Sequence, residues 1–460
     1  MNLKYRRFIY LSFIVFFLII TPIILLYAAG YSFNFKKGQL VKTGILYVDS
    51  KPKNADIDIN GQNKGKTPNR FTKLLPDIYN VKVSKDGYYP WQKDIEIKSN
   101  LSEFAEDIVL FKDTLPINIV SGKINVLSAS PNHRYLAYSI IKDNDEELRF
   151  LNLKTSGDNL IKKFTNPKNN SFEIIGWSET QNQAIFKEKV QDFNNYTIVF
   201  ADSLTARELT TLTRVNFSKL DWGLENDVFL FGLASDGLYQ IDLEKSLTQK
   251  IISGKILDFT FNDNNIYYLT QENSTTFLNK KVLGVSPSQD PTAIEKIKLS
   301  AGSKFSLQKS SKGYITMLDK KNHDLFIISE NSFSDQNIEN NIILQEKANQ
   351  IVWSADKNKI IFNNDFEVWT YDFSNQQKML VTRFSEPIIQ ALWYPQDKYI
   401  IYLLTNKIQA IEATDVKQRN DTKLVEMPEV ADASCDTLGK FLYFKGKAGN
   451  QQGIYQLQLQ

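Results

Sequence analysis

The pattern of apolar and polar positions divides the chain into three regimes. From Phe8 to Gly30 there are 23 residues without a charge, and at about 1.5 Å per residue a helix of that length crosses a hydrocarbon core of about 30 Å. The pattern predicts one transmembrane helix over residues 8–30. Lys4, Arg6 and Arg7 precede it, and the bias of basic residues toward the cytoplasm makes residues 1–7 a cytoplasmic tail and puts everything after the span outside. A cleaved secretory signal is the competing reading, because Ala28-Ala29-Gly30 offers small residues to a signal peptidase. The apolar run exceeds the roughly 7 to 15 residues of a signal's hydrophobic region, and no Cys follows it for lipoprotein processing. Pro22 predicts a bend, not an end.

After a polar connector, residues 31–42, the period changes to two. Ala55, Ile57 and Ile59 alternate with Asp56 and Asp58, the signature of a half-buried strand. Asn60-Gly61 supplies the positive φ angles of a tight hairpin turn. Further alternation at Tyr79, Val81 and Val83, then at Ile95 and Ile97, with Ile108 to Phe111 closing the unit, predicts a small β-sandwich over residues 43–112.

Within that unit stand Gly44-Ile45-Leu46-Tyr47-Val48, Pro52-Lys53-Asn54-Ala55, Asn60-Gly61, Gly65, Thr67-Pro68 and Lys85-Asp86-Gly87-Tyr88-Tyr89-Pro90-Trp91. In order and spacing these resemble a PEGA domain. Lys53 and Asn54 replace Glu and Gly of the name-giving tetrapeptide, and Asn tolerates the left-handed region that the Gly would occupy. The resemblance implies an extracytoplasmic, non-catalytic spacer or binding module, and a helix followed by such a domain and a long β region is similar to membrane-anchored bacterial PEGA proteins. Tyr88, Tyr89 and Trp91 read as packed turn aromatics rather than a sugar-stacking platform. Asp56 and Asp58 read as a solvated strand face rather than a carboxylate pair.

Residues 117–460 repeat a short apolar strand, a polar turn and a second apolar strand, as in Ile351-Val352-Trp353-Ser354-Ala355-Asp356 with Ile360-Ile361-Phe362. Eight such hairpins centre on Ala129, Trp177, Trp222, Phe261, Gln308, Trp353, Trp393 and Ser434, at intervals of 39 to 48 residues. That spacing fits a four-stranded propeller blade of about 40 to 45 residues. An eight-bladed β-propeller is the expectation; merging the units at Phe261 and Gln308, which lack Trp-Ser, would make seven. The last unit ends after three strands, so the orphan strand Ile117 to Val120 is expected to pair into it and close the ring. The Trp-Ser-x-Asp turns resemble those of WD40-like and TolB-type propellers, without the Gly-His and terminal Trp-Asp of true WD40 repeats. The recurring Trp residues read as core.

Composition narrows the chemistry. Lys plus Arg number 55 against 52 Asp plus Glu, a net charge of +3 without long runs, so nucleic acid is not an expected partner. A single Cys435 allows no internal disulfide, and only His133 and His323 are present. Both histidines sit in polar turns and read as solvated. No Gly-x-Ser-x-Gly, His-Glu-x-x-His, Cys-x-x-Cys, phosphate loop or EF-hand loop occurs. Asp319, Asn322 and Asp324 lack a calcium-loop spacing. No catalytic, cofactor-binding or metal-binding residue is therefore assigned. The expected function is a single-pass membrane scaffold that binds a protein or cell-envelope glycan at the propeller mouth, with the bilayer as its other partner. A glycan-active hydrolase built on two carboxylates, or an accessory subunit of a membrane complex, are the alternatives. By position, the loops Asn363 to Asp365 and Thr405 to Asn406 are the candidate binding elements.

Overall fold

The computed structural model describes residues 3–35, 38–165, 170–178, 182–190, 193–223, 229–262, 265–283, 296–299, 304–311, 313–330, 333, 342–414 and 418–460. Glu179, Asp263 and Lys312, which belong to the repeated turns, lie outside them. The chain divides into two compact units, one comprising Met1–Thr114 with Val416–Thr422 and Gln460, the other Leu115–Asp415 with Lys423–Leu459.

The first unit opens with helix α1, Leu3–Ala28. Tyr5–Ala28 of it is long and apolar enough to cross a membrane, and none of that stretch is buried in the protein. The helix begins five residues before the uncharged run, because Lys and Arg are good helix formers and extend it through Lys4–Arg7. It stops two residues short of Gly30, whose φ of +83° ends the helix. Residues 31–42, expected to be a simple connector, form a hairpin of β1 (Tyr31–Asn34) and β2 (Gln39–Lys42).

The sandwich that follows has two sheets. One contains β3 (Gly44–Lys51), β6 (Asn69–Leu74) and β9 (Ser102–Val109); the other contains β4 (Asp56–Ile59), β5 (Gln62–Lys66), β7 (Asp77–Ser84) and β8 (Trp91–Ile97). The period-two residues do what alternation requires: Leu46, Val48, Ala55, Ile57, Val81 and Val83 are all fully buried in one core. Asn60 and Gly61, at φ +51° and +77°, make the two-residue turn between β4 and β5, and Asn54 adopts φ +60° where the family's Gly would stand. The parallel pairing of β3 with β9 has no local sequence signal.

The second unit is built of eight four-stranded antiparallel sheets. Sheet one takes Lys123–Ala129, Tyr135–Lys142, Asp145–Asn152 and Asp158–Thr165 in sequential order. Sheets two to seven repeat this with first strands Asn170–Trp177, Lys219–Trp222, Ile256–Asn262, Phe305–Gln308, Gln350–Trp353 and Gln390–Trp393. The units around Phe261 and Gln308 thus each form their own sheet. Sheet eight takes Glu429–Cys435, Phe441–Ala448 and Gln451–Gln458, and its fourth strand is β10, Ile117–Ser121, from the start of the unit. A short helix, Leu209–Thr213, follows the last strand of sheet two.

Apolar layers lie between neighbouring sheets. Phe150 and Phe164 of sheet one pack with Phe172 and Phe186 of sheet two, and Leu136 and Tyr138 of sheet one pack with Tyr443 and Ile454 of sheet eight. The first and last sheets are therefore neighbours. The array is propeller-like.

Candidate binding face

The turns between first and second strands are fixed by short polar staples. Ser354 Oγ donates to Asp356 Oδ1 at 2.6 Å and accepts from Lys359 N at 2.9 Å; Ser130 Oγ likewise donates to Asn132 and accepts from Tyr135 N. The Ser-x-Asp signature therefore closes a turn and leaves no group for a ligand.

Tryptophan and polar side chains also staple sheet to sheet. Trp177 Nε1 donates to Ser128 Oγ at 3.1 Å, and Trp393 Nε1 to the Val352 carbonyl at 3.2 Å. Trp353 stacks on Phe373 at 5.1 Å between centroids, with its Nε1 buried and unpaired. Asp258 accepts from Lys219 Nζ at 2.7 Å on one side and from Leu307 N at 2.8 Å on the other, joining sheets three, four and five.

His133 is not the solvated turn residue its polar neighbours suggest. It is half-buried, and its Nε2 lies 3.2 Å from Ser434 Oγ of sheet eight. Burial pushes its pKa below 6.5, against an opposing pull from Asp436. The turn placed it at φ +52° over a neighbouring sheet, a proximity across 301 residues that no local pattern reports. His323 is exposed. Asp319 accepts from Lys304 N, Lys321 N and Asn322 Nδ2, and Asp324 pairs with Lys347 at 2.7 Å; the three candidate oxygen ligands are engaged in holding their turn. Among the described residues no group of three or more His, Cys, Asp or Glu converges as metal ligands would. Trp91 is in the sandwich core and Tyr88 packs against it, so these aromatics make no platform.

The turns at the other end of the strands bear the cavities. Asn364 and Asp365, with Phe366, Glu367, Arg383 and Phe384, line an open cleft of about 460 Å³ on sheet six; Asn363 is buried behind them. Asn364 Oδ1 accepts from Phe366 N and Glu367 N, fixing the turn. Glu367 accepts from Trp369 Nε1 at 2.9 Å, from Asn364 Nδ2 at 3.1 Å and from Arg383 Nε at 2.7 Å. These hydrogen bonds, that of Trp369 first, hold its carboxyl below the usual range. Asp365 accepts from Asn349 Nδ2 at 2.6 Å. Both acids of the cleft are committed, while the Phe366 ring is 46% exposed. The cleft offers a flat apolar surface beside a fixed ion pair.

Thr405 lies elsewhere, in a cavity of about 370 Å³ whose wall includes Lys123, Ile124, Ile389, Glu429, Lys445 and Gln452. Asn406 beside it has its Oδ1 buried without a partner, and the backbone of this turn accepts from Met427 N and Val430 N. Lys445 is tied to Asp432 at 2.6 Å and to the Asn125 carbonyl at 2.8 Å. A third cavity, about 240 Å³, is lined by Ser128, Gln390, Asp432, Ser434 and Tyr443. The two candidate loops are thus not brought together. Sequence reading missed the walls supplied by sheets one and eight, whose only signal is their position at the starts of first strands.

A solved structure described as the C-terminal WD40 domain of Sif2 matches with a TM-score of 0.50 at 11% identity, covering 74% of this chain and 98% of that one. One described as a eukaryotic initiation factor gives 0.47 at 11% identity, covering 74% and 89%, and an oligogalacturonate lyase in complex with manganese gives 0.43 at 10%, covering 74% and 98%. At such identity the first likeness speaks for a propeller-like fold alone. No curated protein sequence matches the chain. Residues 43–105 match the family described as PEGA domain, and the first unit therefore contains a PEGA domain.

Proposed function

We propose that this chain is a membrane-anchored extracytoplasmic binding or scaffold protein, in which α1 is a retained single span with its N-terminus in the cytoplasm and the eight sheets form a closed propeller that presents a ligand face. The observation that carries the reading is the pairing of β10 with Gln451–Gln458, because a ring closed by both ends of its chain is a rigid platform on which turns can be held for binding. The wholly apolar, unburied α1 preceding the PEGA domain supports the anchor, and Arg6 and Arg7 on its N-terminal side support the orientation. The ligand class is a protein or a cell-envelope glycan, bound on the face that carries the Phe366 cleft and the Thr405 cavity. We propose no catalytic role, because the acids of the Phe366 cleft are both held by hydrogen bonds.

The test is co-sedimentation of the detergent-solubilised full chain with isolated cell-envelope material, before and after protease treatment of that material. Retention that survives the protease identifies a glycan; retention lost with it identifies a protein. No retention in either case refutes the binding reading, and turnover of the envelope glycans refutes the non-catalytic one.

A further inference from the structure

The hairpin of β1 and β2 has its amphipathic sense reversed. In its register Tyr31 faces Lys42 and Phe33 faces Leu40, and with Phe35 these residues share one side of the ribbon by the two-residue period. That side is turned outward: Phe33, Phe35 and Leu40 are 46%, 87% and 45% exposed. On the opposite side Asn34 is buried, with Ser32 and Val41 half-buried. A hairpin folded against water would show the opposite arrangement, since burying an amide while exposing two phenylalanines is unfavourable on both faces. Phe33 and Phe35 pack edge to face at 5.1 Å, so the outward surface is a contiguous aromatic patch, not a scatter of single side chains.

The position of the hairpin identifies what covers the patch. Gly30 follows the end of α1, and its carbonyl accepts from both Thr43 N and Thr43 Oγ1 at 2.9 Å. Both ends of the hairpin are thereby clasped at the helix terminus. A four-residue strand reaches only about 13 Å, against a headgroup layer of about 5 to 8 Å on each side of the hydrocarbon. The patch cannot leave the neighbourhood of the bilayer that α1 crosses. Its polar members also fit that layer: Lys42 Nζ lies 5.6 Å from the Tyr31 ring, and Lys73 Nζ lies 3.3 Å from the ring of Tyr27 in the last turn of α1. Tyr with Lys is the composition of an interfacial belt, in which rings sit at headgroup depth and amines meet phosphates.

We propose that Phe33, Phe35 and Leu40 are inserted into the outer interfacial region of the membrane, with Lys42 and Lys73 at the phosphate level. The hairpin then acts as a collar that fixes how the sandwich leaves the bilayer. This rests on the reading of α1 as a retained span, and the experiment separates the two. The full chain, with Cys435→Ala, carries one nitroxide label at Phe35→Cys, at Phe16→Cys within α1, or at Lys64→Cys on the exposed turn side of the sandwich. It is reconstituted into phosphatidylcholine nanodiscs with and without phosphatidylglycerol. Collision with oxygen, which concentrates in lipid, is compared with collision by a water-soluble nickel chelate. The expected result is an oxygen-to-nickel ratio several-fold higher at 35 than at 64, and higher still at 16. A deep label at 16 with an aqueous label at 35 overturns the collar and leaves the span intact. A protected label at 35 that excludes both oxygen and nickel also overturns it, because it places a protein on the patch. An aqueous label at 16 overturns both readings. Retention of the wild-type thermal unfolding profile by each labelled chain confirms that the labels report on folded protein.

Discussion

Gly453 tests the closure of the second unit. It lies opposite Ser121 of β10 in strand Gln451–Gln458, and a methyl group added to it would stand 2.0 Å from the Val120 carbonyl oxygen and 2.5 Å from Asn118 Nδ2. Ordinary contact needs 3.4 to 4 Å. β10 would have to retreat by more than an ångström, which breaks the hydrogen bonds that hold it. Two magnitudes then compete. Each lost backbone hydrogen bond costs about 0.5 to 1.5 kcal/mol net, whereas a released strand regains about 1 to 2 kcal/mol of backbone entropy per residue. Unzipping is therefore the cheaper response, and it caps the cost of Gly453→Ala at about 1 to 3 kcal/mol, the usual range for overpacking. Urea unfolding of the full chain in detergent micelles, followed by tryptophan fluorescence, reads the loss. Hydrogen exchange over residues 115–121 reads the cause and should lose its protection. Gly176→Ala is the control: its added methyl meets nothing within 4 Å, and a change within about 0.5 kcal/mol is expected. A Gly453→Ala chain as stable as the parent, with β10 amides still protected, would refute the closure argument.

Other substitutions probe the seams. Trp393→Phe removes the donor to the Val352 carbonyl and should cost about 1 kcal/mol more by the same unfolding assay than Trp353→Phe, whose Nε1 has no partner to lose; equal losses would count against the staple. Asp258→Ala strands Lys219 and the Leu307 amide and is expected to destabilise by about 3 to 5 kcal/mol, the range for removing one member of a buried pair, with Asp258→Asn losing less because an acceptor for Leu307 remains. Burial holds His133 below its ordinary 6.5, so the unfolded chain takes up the proton first: stability is complete above about pH 6.5 and declines as pH falls through that value toward the folded pKa. His133→Asn, which suits φ +52°, should flatten the melting temperature between neutral and mildly acid pH; an unchanged slope would mean that His133 titrates freely.

How much of this was legible in advance depended on whether the signal was local. Asn60-Gly61 declared its turn because both residues take positive φ, and the alternation from Ala55 to Ile59 declared its buried face because side-chain direction in a strand has period two. The eight hairpins were legible for the same reason. The orphan strand 117–120 was placed by counting: a final unit one strand short needs a fourth, and one strand stood unclaimed. By contrast, His133 looked like any polar turn residue, because its burial comes from Ser434 in a sheet formed at the other end of the unit. The hairpin at 31–42 looked like a linker, because its Phe and Leu are too few for a periodic pattern. The candidate turns at Asn364 and Thr405 were correct as cavity walls but belong to different cavities.

The sequence by itself determined the spanning helix, the β class of everything after it, the PEGA motifs and the repeat number, since hydropathy, alternation and turn residues act over a few positions. Tertiary structure alone decided which side chains meet across sheets: Asp258 between Lys219 and Leu307, Trp393 on Val352, and Glu367 held by Trp369 and Arg383. It also decided that the aromatic face of the first hairpin points outward. Such contacts depend on the stacking of whole sheets and on where a terminus is clasped, and these are properties of the closed chain that no short window of residues contains.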